Sequence, residues 1–235
     1  MRFMELKARI ANELTDMVNR NIDFFDTTNQ GERQSQKLST LKELNKSAKP
    51  GQILFAGDSI TEDFPVHEMF MDETELGIYN RGVGGYTTQN ILDHMDTCIL
   101  DLRPSKLFLL IGTNDLGNVS TKPRKICANI ETIVKIVKER SPGTKICVQA
   151  IYPAAPACDA HPDAFGYWGI RTKQTIDETN ALTKAMLGQW PDVTFLEVPG
   201  LADEAGHLRW EYTRDGLHLN ISGYRLVKCQ LRALL

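Results

Sequence analysis

Ser59 lies where an apolar segment gives way to a helix, a position that suits a nucleophile. Residues 53–56 are continuously apolar, as in a strand covered on both faces, and Gly57-Asp58 then interrupts the run. A helix that begins at Ser59 would place positive potential and free backbone N–H groups beside the serine oxygen. Asp58 or Ser59 could equally serve only as a helix cap, so the catalytic interpretation requires partners elsewhere in the chain.

A candidate base and a candidate orienting carboxylate occur close together near the end of the chain. Asp215 precedes His218 by three residues. One turn of chain can therefore bring the carboxylate to Nδ1 of the imidazole and leave Nε2 free to face Ser59. A histidine near a helix start often has only a structural role, so this pair alone is weak. Together with a serine, it supplies the groups that acyl transfer needs.

Acyl transfer also needs hydrogen-bond donors aimed at the oxyanion. The natural candidates are the backbone N–H groups of Ser59 and Gly85 and the side-chain amide of Asn114. Glycine lets the backbone approach a ligand closely, and an asparagine amide donates without titrating. Alternatively, the glycines around Gly85 form only a turn, and Asn114 and Asp115 only cap a helix. For Asp115 we expect such a structural role.

The elements that must position these residues alternate between strands and helices. Strands are predicted near residues 53–56, 76–83, 106–111, 145–151 and 193–198, and helices near residues 64–75, 87–102, 123–140, 172–187 and 222–234. This alternation predicts an α/β protein, a three-layer sandwich around a mainly parallel five-stranded sheet. Ligands bind beyond the carboxyl ends of strands in such sheets, and Ser59, Gly85 and Asn114 all follow strands.

The first fifty residues are predicted to form a helical extension of the main domain. Leu6, Ile10, Leu14 and Val18 recur at helical spacing, which predicts an amphipathic helix over residues 4–25 that packs on the main body. Residues 27–50 are polar, with one short helical pattern around Leu38, Leu41 and Leu44, and we interpret them as a connector. The domain organisation expected is therefore an extension, 1–50, and a catalytic domain, 51–235.

Composition limits the classes of partner. The 235 residues are 42% hydrophobic and 24% charged, with a formal net charge of -3, which is ordinary for a globular protein and argues against a nucleic-acid partner. No apolar run approaches the length of a membrane span. Five cysteines without paired short spacings predict neither a disulfide scaffold nor a metal site, and they favour a cytoplasmic location. No cofactor is predicted, and a homodimer is left open.

Four sequence blocks in this order resemble the SGNH, or GDSL-type, hydrolase superfamily. The blocks are Gly57-Asp58-Ser59-Ile60, Asn80-Arg81-Gly82-Val83-Gly84-Gly85, Gly112-Thr113-Asn114-Asp115, and Asp215 to His218. The chain from about residue 53 onward is similar to the branch that includes the catalytic subunits of platelet-activating-factor acetylhydrolase and their bacterial relatives. Tyr86 departs from the pattern, because many relatives carry Asp there, so the bonds that brace this loop are expected to differ.

The resemblance implies a flavodoxin-like fold and assigns roles to the site residues. Ser59 would be the nucleophile, His218 the base and Asp215 its orienting carboxylate. The Ser59 amide, Gly85 and Asn114 would form the oxyanion hole, with Asp58 and Asp115 in supporting positions. The function expected is a serine esterase or acylhydrolase that cleaves a small or medium acyl ester of a small molecule.

Two non-catalytic alternatives are weighed against an esterase. A flavodoxin-like sheet could bind a flavin or a phosphate, but Asp58, Glu62 and Asp63 would repel a phosphate at the first loop. A carbohydrate-binding or scaffolding module is the second alternative, and the intact candidate site argues against it. The long loop over residues 152–169 contains Phe165, Tyr167 and Trp168, which either form a lid or acyl-pocket wall or simply pack the loop down.

Overall fold

The computed structural model describes residues 27–167 and 169–235. The helix predicted over residues 4–25 lies outside the described residues, as does Trp168 of the long loop. The strands are β1 (Ile53–Gly57), β2 (Ile78–Gly82), β3 (Lys106–Leu110), β4 (Lys145–Gln149) and β5 (Val193–Leu196). The α-helices are α1 (Thr27–Asn45), α2 (Ser59–Glu62), α3 (Val66–Met69), α4 (Thr88–Asp93), α5 (Met95–Cys98), α6 (Pro123–Arg140), α7 (Lys173–Leu187) and α8 (Ile221–Leu231). Short 3-10 helices lie at Leu100–Leu102, Asp115–Gly117, Trp210–Tyr212 and Arg232–Leu234.

The strands form one parallel sheet in the order β2-β1-β3-β4-β5. This is the flavodoxin-like order, and it confirms the predicted α/β sandwich with a five-stranded sheet. Every residue of β1 is buried, and because successive side chains of a strand point to opposite faces, both faces of the sheet are covered. The carboxyl ends of β1, β2 and β3 meet at one edge, where Gly57 pairs with Gly82 and Leu110.

Aromatic rings fill the core beneath β1. Phe55 stacks on Phe108 with ring centroids 4.8 Å apart, and Phe64 stacks on Tyr224 of α8 at 4.7 Å. Contacts of this kind add to the free energy gained by burying the rings. The turn at residues 57–60, which forms the first sequence block, therefore follows a densely packed strand.

Within the described residues, no helix combines the length and hydrophobicity needed to cross a bilayer.

The short helical pattern predicted within residues 27–50 is longer in the structure, where α1 is one continuous helix over Thr27–Asn45. Leu41 of α1 is 2% exposed and belongs to the core. Polar contacts hold the helix elsewhere: Asn45 donates to the carbonyl of Thr97 at 2.9 Å and accepts from Nε of Arg81 at 3.0 Å. Tertiary hydrogen bonds thus stabilise a helix whose apolar periodicity is weak.

Two other predicted helices are shorter or broken. The helix expected over residues 87–102 is divided at His94 (φ -127°, ψ 29°) and Ile99 (φ -138°, ψ -57°), where the backbone leaves the α region. The apolar residues of this segment are nevertheless mostly buried on both sides of the breaks, among them Ile91, Ile99 and Leu102. The helix expected over residues 64–75 contains only α3.

Candidate active site

The block-one turn places Ser59 at the first position of α2, directly beyond the end of β1. Asp58 caps this helix, and its Oδ1 accepts a hydrogen bond from the backbone N–H of Ile60 at 3.0 Å. The cap predicted as an alternative use of Asp58 is therefore present. It leaves the Ser59 hydroxyl free to bind elsewhere, so capping by Asp58 and catalysis by Ser59 are compatible.

Ser59, His218 and Asp215 form a continuous hydrogen-bonded chain. Ser59 Oγ lies 2.8 Å from Nε2 of His218, and Nδ1 of His218 lies 2.6 Å from Oδ2 of Asp215. The second carboxylate oxygen, Oδ1, accepts from the backbone N–H groups of Leu217 at 2.9 Å and His218 at 2.7 Å. The carboxylate therefore holds both the backbone and the ring of the histidine, which fixes the ring tautomer with Nε2 facing the serine.

The electrostatic environment keeps Asp215 ionised. Burial by itself would raise the pKa of Asp215, but the hydrogen bonds from the His218 side chain and backbone outweigh burial and bring the pKa below its ordinary value. An ionised carboxylate stabilises the imidazolium that forms when His218 accepts a proton. The pair therefore has the charge distribution that a general base requires.

The long loop over residues 152–169 supports the turn that contains Asp215 and His218. The N–H of Phe165 donates to the carbonyl of Asp215 at 2.7 Å, and the N–H of Ala155 donates to the carbonyl of Gly216 at 2.8 Å. The ring of Phe165 lies parallel to the ring of His218, with an interplanar angle of 2° and a centroid separation of 6.3 Å. Tyr167 instead contacts His207, with ring centroids 5.7 Å apart. Between Phe165 and Tyr167, Phe165 is the one placed beside the site.

The glycine-rich second block comes close to the helix that carries Ser59. A Cβ atom on Gly82 would lie 2.1 Å from the backbone nitrogen of Glu62 in α2, so only glycine permits this approach. A Cβ on Gly84 would lie 3.9 Å from Cβ of Ser59. Among the described residues, none accepts a hydrogen bond from the N–H of Gly85. The predicted oxyanion donor Gly85 thus lies in a loop that packs against the helix carrying Ser59.

Asn114 joins the same loop from the third block. Its Nδ2 donates to the carbonyl oxygen of Tyr86 at 3.0 Å, which leaves its second N–H available. Asn114 precedes the 3-10 helix Asp115–Gly117, but its side chain makes no capping hydrogen bond there. The cap interpretation of Asn114 is therefore wrong. The carbonyl of Tyr86 accepts this bond whatever side chain residue 86 carries, so replacing Asp by Tyr leaves this brace in place.

Asp115 has a structural role, but it binds the start of α4 and not the helix that follows Asp115 in the chain. Its Oδ2 accepts from the backbone N–H of Thr88 at 2.8 Å, and its Oδ1 accepts from the Thr88 hydroxyl at 2.5 Å. Thr88 is the first residue of α4, so Asp115 satisfies one of the free N–H groups at that helix start. Burial raises the pKa of Asp115, although the Thr88 bonds oppose the shift. Asp115 thereby ties the third block to the helix that follows the second.

Asp58 is fully buried beside the nucleophile. Its Oδ2 has no hydrogen-bond partner among the described residues. Burial raises the pKa of Asp58 from 3.8 to about 7, and the nearby His218 and Arg171 partly oppose the shift. Near neutral pH this carboxyl group is therefore divided between its protonated and its ionised form.

Arg171 is a buried arginine close to the site, and the sequence analysis did not predict its role. It is 2% exposed; its Nε donates to the carbonyl of Thr113 at 3.0 Å and its Nη1 to the carbonyl of Gly166 at 3.2 Å. Burial lowers the pKa of Arg171 to about 10, and the nearby carboxylates of Asp58 and Asp215 oppose the shift. A single arginine ahead of a helix has no recognisable pattern, so no sequence signal indicated this link between the third block and the long loop.

Two further histidines, His161 and His67, lie outside this constellation and have other contacts. His161 stacks on Trp210 with ring centroids 3.7 Å apart, and His67 Nε2 lies 2.9 Å from the carbonyl of Ile78. Over residues 27–167 and 169–235, no group of three or more His, Cys, Asp or Glu side chains has the arrangement of a metal site.

Known proteins are similar to this chain in sequence and in fold. Residues 55–226 match the GDSL-like lipase/acylhydrolase family. The chain is 26% identical over 190 residues to the platelet-activating factor acetylhydrolase IB subunit alpha2 of Rattus norvegicus, with 80% of this chain and 77% of that protein covered. The Homo sapiens protein of the same name gives the same identity and coverage.

Solved structures of related proteins have a similar fold. A Streptococcus pneumonia protein described as a platelet activating factor superposes with a TM-score of 0.79 at 31% identity, covering 93% of this chain and 98% of the other. An acylhydrolase from Bacteroides fragilis, 24% identical, superposes with a TM-score of 0.69 over 82% of this chain and 92% of its own. The second comparison supports the fold alone. Because the match over residues 55–226 covers most of the chain, the chain belongs to the GDSL-like lipase/acylhydrolase family.

Proposed function

We propose that this protein is a carboxylic ester hydrolase in which Ser59, His218 and Asp215 act as a catalytic triad. The observation that carries the proposal is the unbroken path from Asp215 through His218 to Ser59 Oγ, with separations of 2.6 Å and 2.8 Å. Both separations are hydrogen-bond distances. Nucleophilic catalysis by a serine requires such a bond between the serine and its base, and another between the base and its orienting group. The family membership supports the same reaction class.

The reaction proceeds in two acyl transfers. His218 Nε2 removes the proton from Ser59 Oγ as that oxygen attacks the ester carbonyl, and the carbonyl oxygen becomes an oxyanion. The imidazolium then gives its proton to the alcohol oxygen, the carbon–oxygen bond breaks, and the alcohol leaves. In the second transfer, a water molecule loses a proton to His218 and attacks the acyl-serine. Collapse of this intermediate releases the carboxylic acid and returns the proton to Ser59.

The oxyanion is stabilised by three donors in this proposal. They are the backbone N–H groups of Ser59 and Gly85 and the side-chain amide of Asn114. The Ser59 N–H lies at the first position of α2, where a backbone N–H has no partner within the helix. Donors of this kind act mainly on the transition state, because the full negative charge exists only there.

The substrate we propose is an ester with a short acyl group, acetyl being the first candidate. Support comes from the curated relatives, which are named as acetylhydrolases and are 26% identical over most of the chain. A small-molecule ester agrees with the formal net charge of -3, which offers no attraction for a polyanion.

The test is a panel of p-nitrophenyl esters of rising acyl length, together with acetylated sugars and an acetyl lipid, measured on the wild type and on Ser59→Ala. We expect the highest kcat/KM on acetyl or other short esters, and loss of turnover in Ser59→Ala. Labelling by a fluorophosphonate probe should occur in the wild type and be absent from the variant. A folded wild type that is neither active nor labelled would refute the proposal and favour a non-catalytic binding or scaffolding module.

A further inference from the structure

Helix α1 contacts the candidate oxyanion loop directly. Gln34, which is partly buried on α1, donates from Nε2 to the carbonyl oxygen of Gly84 at 2.8 Å. The two residues are 50 positions apart in the chain, so this is a tertiary contact. Helix α1 ends before residue 55, where the match to the family begins. A segment outside the matched family region therefore touches the site.

The Gly84 carbonyl belongs to the same peptide unit as the N–H of Gly85. The described peptide bonds are all trans, and in a trans peptide the C=O and the N–H point in opposite directions. Because the Gly84 carbonyl points toward Gln34, the Gly85 N–H must point away from α1. One hydrogen bond from Gln34 thus fixes the direction of the proposed oxyanion donor, and it also polarises the peptide that donates.

The preceding peptide of the loop is held from the other side. The N–H of Gly84 donates to Oε2 of Glu62 at 2.7 Å, and Oε1 of Glu62 lies 2.7 Å from Nζ of Lys37. Glu62 belongs to α2, which begins at Ser59, and Lys37 lies one turn after Gln34 on α1. Both peptide units that flank Gly84 are therefore bonded to the nucleophile helix or to α1.

A loop of glycines needs such external contacts to keep one conformation. Gly84 and Gly85 have no side chains that could pack, and glycine loses more conformational entropy on ordering than any other residue. Gly85 has φ of +76°, and a Cβ there would lie 1.8 Å from Nε2 of Gln30 on α1. The helix therefore packs closely against this loop, and its side chains replace the packing that the glycines lack.

We propose that Gln34 is a positioning residue for ester hydrolysis, which orients the Gly85 N–H toward the oxyanion through the Gly84–Gly85 peptide. The Lys37–Glu62 pair assists by holding the adjacent peptide. The inference rests on the proposed function and deepens it, because it makes α1 part of the catalytic apparatus. Gln34 itself touches neither Ser59 nor the reacting atoms.

The test compares Gln34→Ala and Gln34→Glu with the control Gln36→Ala, an exposed position on the same helix. We expect Gln34→Ala to lower kcat about 5- to 10-fold with KM nearly unchanged, the effect of losing one hydrogen bond that acts in the transition state. Gln34→Glu keeps the size of the side chain but turns an acceptor toward the Gly84 carbonyl, so its loss should be at least as large. Gln36→Ala should behave as the wild type.

A second readout separates positioning from simple anchoring of α1. Affinity for an arylboronic acid, which forms a tetrahedral anion on the serine, should fall in parallel with kcat in the Gln34 variants. If Gln34 only anchored the helix, the melting temperature would fall while kcat per folded molecule and boronate affinity stayed at wild-type values. That result, or a Gln34→Glu protein with full kcat, would overturn the inference.

Failure of the proposed esterase function can be distinguished from failure of the Gln34 inference. A wild type that hydrolyses no ester and resists fluorophosphonate labelling refutes the proposed function, whatever the Gln34 variants do. In that case the chemical shift and hydrogen-exchange rate of the Gly85 amide still test the positioning. Both should change in Gln34→Ala and stay constant in Gln36→Ala, and an unchanged Gly85 amide in Gln34→Ala would overturn the inference.

Discussion

The side-chain amide of Asn114 donates to the backbone carbonyl of Tyr86 across 3.0 Å. Tyr86 directly follows Gly85, so this bond joins the second and third sequence blocks at the proposed oxyanion hole. One N–H of the amide is used to orient the group, and the other remains for a ligand. Two candidate donors from different strand ends are thereby held against each other before any substrate arrives.

We predict that Asn114→Ala lowers kcat by about 100- to 1000-fold with little change in KM, because the lost amide meets charge that exists only near the transition state. The melting temperature should change little, since the side chain caps no helix. Steady-state kinetics and thermal unfolding of the purified variant provide the measurement. An Asn114→Ala protein that is fully active would remove Asn114 from the oxyanion hole.

The rate of ester hydrolysis should fall as the pH is lowered, because His218 must be neutral to accept the Ser59 proton. The lowered pKa of Asp215 keeps that carboxylate ionised while the pH is lowered from neutrality, so Asp215 does not contribute to the fall in rate. The measurement is kcat against pH for the wild type and for Asp58→Asn, since Asp58 also titrates near neutrality. Persistence of the acidic limb in Asp58→Asn supports the assignment to His218, and a flat wild-type profile contradicts it.

Asp58 should make the stability of the protein depend on pH. Burial raises its pKa in the folded state to about 7 from 3.8, so the folded protein binds this proton more tightly than the unfolded chain does. The stabilisation is complete below the unfolded value and is lost as the pH rises through the folded value. Between these limits we expect the free energy of unfolding to fall by up to about 4 kcal/mol relative to Asp58→Asn.

Denaturant unfolding at several pH values, for the wild type and Asp58→Asn, measures this difference. The asparagine retains an oxygen that can accept from the Ile60 N–H, so the helix cap is matched while the titrating group is removed. Parallel pH curves for the two proteins would show that Asp58 keeps an ordinary pKa in the fold.

Short-range patterns predicted the parts of the molecule that depend on local sequence. The parallel sheet followed from the alternation of apolar strands with amphipathic helices, and the meeting of Asp215 with His218 followed from their spacing of three residues. The contact between Ser59 and His218, 159 residues apart, was inferred from the order of the blocks. The structure brings these residues together, while their catalytic roles remain predictions.

Contacts without a local pattern were not predictable. Gln34 reaches Gly84 over 50 residues and Arg171 reaches Thr113 over 58, and neither residue belongs to a periodic or spaced motif. The polar character of α1 led to the connector interpretation, because its apolar pattern is short and hydrogen bonds to other segments contribute to holding it. Gln34 and Arg171 both bind backbone groups of the loops that carry the candidate site residues, and neither is a candidate for reacting with the substrate.

Arg171 should be essential for the arrangement of the third block and the long loop. Replacing it with methionine fills a similar volume but leaves the buried carbonyls of Thr113 and Gly166 without these donors. It also removes a positive charge that lies near Asp58 and Asp215. We expect Arg171→Met to lose about 3 kcal/mol of unfolding free energy, because bonds from a charged group to buried acceptors are lost.

The same substitution should lower kcat, because Thr113 precedes Asn114 and Gly166 follows Phe165, so both the amide and the loop beside His218 lose a support. Arg225→Met, at an exposed position on α8, is the matched control and should leave stability and kcat close to wild-type values. The measurements are denaturant unfolding and kcat per folded molecule for both variants. If Arg171→Met unfolded at the same denaturant concentration as Arg225→Met and kept its turnover, the buried guanidinium would have no supporting role at the site.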